Sequence, residues 1–595
     1  MKTDSVSLKE FRSIGSYLKR YRGKYAIGFI FLALVDAAQI MIPQLIRRAI
    51  DLISAGNFEL RPIVMLGLSM IAIAAGISVG RFLWRYFIHG SSRRIETELR
   101  DKLFAHLLLL SSGFYQKNKT GDLMARATND LNAVRMAIGM GLVAFVDGTF
   151  MATAILVIMF LQDARTAALA ITPLPLITLL ILLFGNAVGK RFKRAQEAYS
   201  TLSDVVQETF SGIRVVKSFV KELWFVKKFA DANDDYREAN MALVRIFGLF
   251  FPLISFLSGL TTLILLLVGG GRVVDGRMSP GELVAMFSYL QMLIWPMLGA
   301  GFTINMLQRG AASLARINEV LSTEPEIATP SRPVSRPARD ALPTAAIEIR
   351  NLDYSYPNGT AALSALSLSV PRGSMLGLLG RTGSGKSTLL RLLPRILDPP
   401  AGTVFVDGID VRDWDLRELR AIFGVTPQDT YLFSDSVRNN IAYGASDADE
   451  ERLRAVAELS AIAGDLADFK DGWETVVGER GHTLSGGQKQ RVAISRAAVR
   501  DPEVLILDDA LSAVDAETEE RILAGLIRER KGKTTIVVSH RVSTLQHADS
   551  VLVLDGGKVA ESGPPAVLAA GDGFYAETAR LQQLERVKSG EAIHG

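Results

Sequence analysis

The chain has no cysteine. That excludes disulfides and thiolate metal sites, while saying little about compartment. It has no basic stripe interleaved with exposed aromatics, so nucleic acid is not an expected partner. Formal net charge is only +5, which the usual excess of Lys and Arg in cytoplasmic loops of membrane proteins explains. No convincing cleavage site follows the first apolar run, and that run is too long for a signal peptide. Charge is also scarce within long stretches of the first half. Apolar residues make up 49% of 595 residues and are unevenly distributed, the second half having ordinary globular composition. A chain this long exceeds one core, and the asymmetry predicts a membrane part followed by a soluble part.

Six stretches, near 25–50, 62–88, 132–161, 164–188, 243–270 and 282–308, are long enough to cross about 30 Å of hydrocarbon. An even number leaves both ends of this half on one side. Cationic residues crowd the N-terminus, 93–126 and 190–228, while the links at 54–61, 162–165 and 271–281 are short and less charged. Both termini of the chain and its soluble domain are therefore expected in the cytoplasm, below a multi-pass cell (inner) membrane domain. Residues 1–24 are basic, with Leu8, Phe11, Ile14 and Leu18 at helical spacing, and read as an interfacial helix.

Two long cytoplasmic connections carry helical packing stripes: Leu99, Leu103, Leu107 and Leu110 in the first; Phe192, Ala195, Tyr199, Leu202 and Val206 in the second. Both are expected to project far from the membrane. Gly113 and Gly121 bracket one turn at the first tip, and Gly212 lies in the segment expected to form the second. Polar residues inside the spans include Asp36, Gln39, Gln44, Asp147, Asn305 and Gln308. Asp36 and Asp147 should face a cavity or a partner, either for substrate contact or for helix–helix hydrogen bonding. The transmembrane domain is expected over 1–321. Five prolines and few apolar residues mark 322–345 as a linker, and 346–595 forms the soluble domain.

The soluble half is organised around Gly380, Arg381, Thr382, Gly383, Ser384, Gly385, Lys386 and Ser387, a G-x-x-x-x-G-K-[ST] phosphate loop. An apolar run over 375–379 precedes it as a buried strand, and a helix-forming run opening at Thr388 follows. Glycines let backbone N–H groups close around phosphate oxygens at a helix N-terminus. Lys386 can reach β- and γ-phosphates, and the Ser387 hydroxyl can ligate Mg²⁺. Downstream, Leu484, Ser485, Gly486, Gly487 and Gln488 precede another helical run. They read either as a second cradle presenting Ser485 to a γ-phosphate or as a plain helix cap. The run 504–509 is a buried strand ending in Asp508 and Asp509. Asp508 can hold Mg²⁺, and the next position suits a water-activating carboxylate. A further strand over 534–539 ends at His540, placed to sense a γ-phosphate. Ile347–Tyr356 reads as a strand, and the Asp407-Gly408 pair as a hairpin turn.

These motifs, in this order, resemble the ATP-binding cassette superfamily. Six spans fused N-terminally to one cassette resemble a half-transporter of the type IV exporter group, the bacterial multidrug-resistance-like family. The resemblance implies an all-α six-helix transmembrane domain with long cytoplasmic extensions, followed by an α/β nucleotide-binding domain. It implies ATP and Mg²⁺ as cofactors, with Tyr356 stacking on adenine and Gln428 contacting Mg²⁺ and the membrane domain. Asp515 would lie in a loop crossing a dimer interface. Glu479, and tips near 111–119 and 208–221 that contain Tyr115 and Gly212, would couple the two domains.

One position departs from the family pattern: competent members carry Glu after the Mg²⁺ aspartate, and this chain has Asp509. Its carboxylate is withdrawn by roughly 1–1.5 Å, while its own signature is intact. That combination resembles one half of a heterodimeric exporter with one degenerate ATP site. The partners implied are a second homologous half-transporter, the lipid bilayer and a hydrophobic or amphipathic substrate such as lipophilic drugs, lipids or peptides. A homodimer using Asp509 as a slow base, an importer and a regulatory or channel-gating cassette are the alternatives.

Overall fold

The structure is a computed structural model that describes residues 8–56, 60–478, 481 and 483–588. The chain forms two compact units. One comprises Met1–Leu108 and Lys119–Thr323, the other Leu109–Asn118 and Glu324–Gly595. Residues 109–118 thus belong by packing with the second unit, although sequence position groups them with the membrane half.

Among the described residues, six helices of the first unit have the length and apolarity to cross a membrane. They cover Gly15–Ser54, Leu60–Leu107, Thr120–Ile171, Leu174–Ser211, Glu222–Val274 and Pro280–Leu321. The second has 48 residues, which at about 1.5 Å per residue is about 72 Å, more than twice the hydrocarbon thickness, so it extends well beyond the bilayer. Small residues let the first two helices approach closely: a Cβ on Gly28 would meet Ile88 at 2.4 Å, and one on Gly80 would meet Val35 at 2.5 Å. Pro43 interrupts hydrogen bonding in the first helix. One turn earlier, buried Tyr289 donates to the Ile40 carbonyl at 2.8 Å and accepts from Gln44 Nε2 at 2.9 Å, tying the first and last helices together.

Several expectations change. The link at 162–165 is a break within one helical segment: Asp163 leaves helical geometry (φ −155°, ψ 101°), its carboxylate caps Thr166 N at 2.8 Å and it pairs with Arg272 at 2.5 Å. The chain turns again at Thr172–Pro173. Three of the apolar residues before the first span pack on protein. Ile14 is buried in a cluster with Leu131, Leu314 and Ile317, against which Phe11 and Leu18 pack. In the second cytoplasmic arm Phe192 and Tyr199 are exposed, and Ala195, Ala198 and Val205 are the buried stripe, because Ala239 of the neighbouring helix packs closely against it. What Gly113 and Gly121 bracket is a short helix, Ser112–Lys117, followed by Asn118 and Lys119.

The second unit contains two sheets. β1 (Ala345–Ser355), β2 (Ala361–Pro371), β4 (Val404–Val406) and β5 (Ile409–Asp410) form an antiparallel sheet in the order β2-β1-β4-β5. Asp407 and Gly408 join β4 to β5 with positive φ at both (51° and 78°), as a two-residue hairpin requires. The larger sheet comprises β3 (Met375–Gly380), β6 (Phe423–Thr426), β7 (Val504–Asp508), β8 (Thr534–Val538), β9 (Ser550–Asp555) and β10 (Lys558–Gly563). Its order is β10-β9-β3-β8-β7-β6. β9, β3, β8, β7 and β6 are parallel, and β7 and β8 are buried at every position, which explains their unbroken apolar runs. The Pro-rich segment carries one 3₁₀ turn, Arg339–Ala341, and is pinned rather than free. Val334 N donates to Asp413 O at 2.8 Å, and Arg336 forks onto Glu503 at 2.6 Å while also binding Asp407.

A candidate ATP site at the carboxyl ends of the parallel strands

The sheet order explains how residues far apart in sequence meet. β3 ends in the phosphate loop, β6 runs out towards Gln428, β7 ends at Asp508 and β8 leads to His540. All four lie at the carboxyl edge of adjacent parallel strands, where α/β sheets bind ligands.

The phosphate loop closes through left-handed glycines: φ is +82° at Gly383 and +98° at Gly385. A Cβ on Gly380 would meet the Leu554 carbonyl at 2.3 Å, and one on Gly385 the Ala362 carbonyl at 2.7 Å, so neither position tolerates a side chain. Lys386 opens the next helix and reaches back over the loop, donating to the carbonyls of Gly380 (2.8 Å) and Arg381 (2.9 Å). Burial holds its ammonium below its ordinary pKa, partly offset by Asp508 and Asp509. The Ser387 hydroxyl hydrogen-bonds the Asp508 carboxylate, whose pKa burial pushes up against the opposing effects of Ser387, Arg391 and Lys386. A hydroxyl and a carboxylate so joined are hard oxygen donors of the kind Mg²⁺ takes, and the desolvated carboxylate gains from a cation, so the residues fit that ion. Tyr356 OH hydrogen-bonds Thr388 Oγ1 at 2.8 Å, which tethers the ring beside the loop's helix. Arg381, Thr382 and Gly383 are exposed, and Ser384 is buried.

Asp509 has φ +52° and is half-buried. Its backbone N–H donates to Val538 O at 3.2 Å. Burial raises its pKa, opposed first by the charge of His540, so the two side chains are electrostatic neighbours. His540 is exposed, and its carbonyl accepts from Gln582 Nε2 at 2.7 Å. Gln428 is exposed two residues beyond β6.

Ser485 is the N-cap of the helix Gly486–Ala498. Its Oγ accepts from Gln488 N at 3.3 Å, and Gln488 Oε1 accepts from Ser485 N at 3.0 Å. This is a capping box at a helix N-terminus, the helix-cap reading of this stretch. Gly487 must be glycine, since a Cβ would meet the Ala513 carbonyl at 2.8 Å. Asp515 caps the helix Ala516–Glu529 by accepting from Thr518 N at 2.9 Å, and that bond holds its pKa below the usual carboxylate range.

The first tip lies within the second unit: Ser111 Oγ donates to Glu326 at 2.8 Å and Ser112 Oγ to the Ile396 carbonyl at 3.4 Å. Tyr115 in the same helix is exposed. Gly212 ends the helix Leu174–Ser211. Glu479 lies outside the described residues. Asp36 is fully buried, with the Asp147 carboxyl as its hydrogen-bonding and charged neighbour and Arg81 as the nearby cation. Asn305 is exposed.

One positioning residue was missed. Buried Gln490 donates to Asp509 O (3.3 Å) and Ser512 Oγ (3.0 Å) and accepts from Ala513 N (2.9 Å), fastening the loop after Asp509. Its place two residues beyond Gln488 was the available signal.

Six membrane helices joined to a phosphate-loop domain with metal-fitting carboxylates define a membrane-bound nucleotide-hydrolysing transporter. The chain belongs to the ABC transporter family: residues 25–297 match its transmembrane region and 363–512 its ATP-binding domain. It is 40% identical, over 98% of its length and 99% of the relative's, to the Bacillus subtilis probable multidrug resistance ABC transporter ATP-binding/permease protein YheI. It is 36% identical to the Escherichia coli multidrug resistance-like ATP-binding protein MdlA, over 97% of both chains. It is 31% identical to an ATP-dependent lipid A-core flippase of Syntrophus aciditrophicus, over 98% and 96%. Among solved structures, a bacterial Atm1-family ABC exporter with ATP bound matches 94% of this chain and 98% of its own at 27% identity, TM-score 0.76. The fold is that of an ABC exporter half-transporter of the multidrug and lipid-flippase type, multi-pass in the membrane with its ATPase domain in the cytoplasm. Proteins of this type couple ATP hydrolysis to transport.

Proposed function

We propose that this chain is one half of a heterodimeric exporter of lipophilic drugs, lipids or peptides, with a slow ATP site at its own phosphate loop. The observation that carries the reading is Asp509 where the family resemblance puts Glu. Misplacement of a catalytic group by about 1 Å can cost about 100-fold in rate. In this reading two cassettes close head to tail, each ATP lying between one chain's phosphate loop and the other's signature.

At its own site Gly380–Ser387 and Thr388 hold the phosphates, with Lys386 as the cation on β/γ. Tyr356 stacks on adenine. Ser387, Asp508 and Gln428 would hold Mg²⁺, which would supply charge neutralisation to the phosphates. His540 orients against the γ-phosphate, and Asp509 is set back from the attacking water. Ser485, Gly486, Gly487 and Gln488 complete the partner's site, where most turnover occurs, and Asp515 lies at the interface. Gln428, Glu479, Tyr115 and Gly212 pass the change to the membrane helices. Asp36 and Asp147, with Asn305 further along the last helix, face the substrate path. A carboxyl pair within the spans, buried Asp36 and half-buried Asp147, supports this role, since ionisable groups there are costly.

The test is ATP hydrolysis by the chain purified alone and co-purified with its native partner, with Asp509→Ala and Ser485→Arg in each. Ser485→Arg nearly abolishes turnover of the pair and Asp509→Ala reduces it modestly. A second reading, a homodimer with Asp509 as an adequate base, draws on its closeness to His540. Robust turnover by the chain alone, lost in Asp509→Ala, would establish that reading instead.

A further inference from the structure

A cleft of about 780 Å³ opens between the ends of the first two membrane helices, at the link expected on the outer face. Gln44, Arg47, Arg48 and Ser69 give it polar groups, and Leu52 and Met65 apolar walls. Its charges are unevenly used. Arg47 pairs with Glu282 at 2.7 Å and more loosely with Asp51 at 3.7 Å. Asp51 also accepts from Gly281 N at 2.9 Å. Both carboxylates are thereby engaged. Arg48 is exposed and has neither an ion pair nor a hydrogen bond among the described residues.

Two adjacent arginines at an outer helix end run against the cytoplasmic bias of cations in membrane proteins, so they need a local reason. A guanidinium fork matches phosphate oxygens in a bidentate manner. Helix ends lie at headgroup depth, and apolar walls continue naturally into acyl chains. The volume suits a headgroup with its first carbons. We propose that this cleft holds the phosphate headgroup of a membrane phospholipid, with Arg48 as its anchoring cation. Free phosphate would gain nothing from Leu52 and Met65. The inference rests on the membrane topology and not on the ATP-site reading.

Native mass spectrometry of the full-length protein, released from mild detergent with added phosphatidylglycerol, tests it. Wild type retains the lipid. Arg48→Gln reduces retention about tenfold, as expected for one charge-assisted contact, and Arg48→Lys recovers part of it. Ser69→Phe, which fills the cleft without altering charge, also loses the lipid. Arg61→Gln, removing an exposed cation at the adjoining end of the second helix but outside the cleft lining, retains it. Equal retention by wild type and Arg48→Gln overturns the proposal, as does equal retention of diacylglycerol, which lacks the phosphate. Displacement by an equal concentration of inorganic phosphate would assign the site to the free ion and overturn the lipid. Should Arg48→Gln not fold, Ser69→Phe and the wild-type diacylglycerol comparison still decide.

Discussion

Replacing Asp509 with Glu tests the ATP-site reading by gain rather than loss. The added methylene advances the carboxylate by up to about 1.5 Å, one C–C bond, towards the place of the attacking water. If misplacement costs about 100-fold, the barrier falls by about 2.7 kcal/mol. The structure sets an opposing cost. Asp509 sits at φ +52°, a left-handed conformation that Asp tolerates better than Glu. Gln490 holds the Asp509 carbonyl at 3.3 Å, so the backbone is not free to relax. A penalty of about 1 kcal/mol in stability is expected, lowering Tm by about 2–4 °C in a domain of this size. Asp509→Glu therefore makes the purified chain less stable and, on its own, up to about 100-fold faster in steady-state ATP hydrolysis. Phosphate release and thermal unfolding, measured on one preparation, read both effects. A lowered Tm with no rise in turnover would refute the positioning argument, as would wild-type turnover already as fast as the variant's.

Lys386→Ala should weaken ATP binding at this chain's phosphate loop, read by titration of a fluorescent ATP analogue; unchanged affinity would count against the assignment. Asp508→Asn should stabilise the nucleotide-free protein by about 1 kcal/mol or more, read as a raised Tm, because a carboxylate largely out of water is costly, yet lose the added stability that Mg-ATP gives wild type. The sign in pH agrees. The Asp508 pKa is raised by burial, so its charge costs stability progressively as pH rises from its unfolded value through its folded one; a flat Tm difference between wild type and Asp508→Asn across that window would contradict this. For sidedness, Ser54→Cys should react with an impermeant thiol reagent from outside, and Gln116→Cys only from inside. The reverse pattern would overturn the topology.

What could be seen in the sequence was what depends on neighbours in the chain. The phosphate loop is one turn between a strand and a helix, so eight consecutive residues carry it. The spans are legible because hydrocarbon demands long apolar runs whatever packs beside them. The errors fall where distant partners decide. Ile14 packs against Leu314 and Ile317, three hundred residues away, a contact that helical spacing alone does not announce. Ala195 and Ala198 outrank larger Phe192 and Tyr199 as the buried stripe because the facing helix brings Ala239 close, and no periodicity reports the distance between two helices. Asp163 read as part of a link, but its carboxylate caps Thr166 and binds Arg272, which lets a helical segment resume after one non-helical residue.

The candidate ATP site divides in the same way. Lys386, Ser387 and Asp508 were readable as donors, yet their juxtaposition depends on strand order. β8 lies between β3 and β7 in the sheet, so the residues that leave β8 start beside both, which brings His540 near Asp509. Nothing local to His540 encodes that. Gln490 was hidden for a related reason: its three hydrogen bonds all go to residues 509–513, a loop about twenty positions downstream. It ties the helix that opens with the signature to the loop that carries Asp509. If, as proposed, Ser485 serves ATP in a neighbouring cassette, its movement would reach the backbone of Asp509 through Gln490. Gln490→Ala, which cuts that link while leaving both motifs intact, should leave ATP binding unchanged and weaken the dependence of one site's turnover on occupancy of the other.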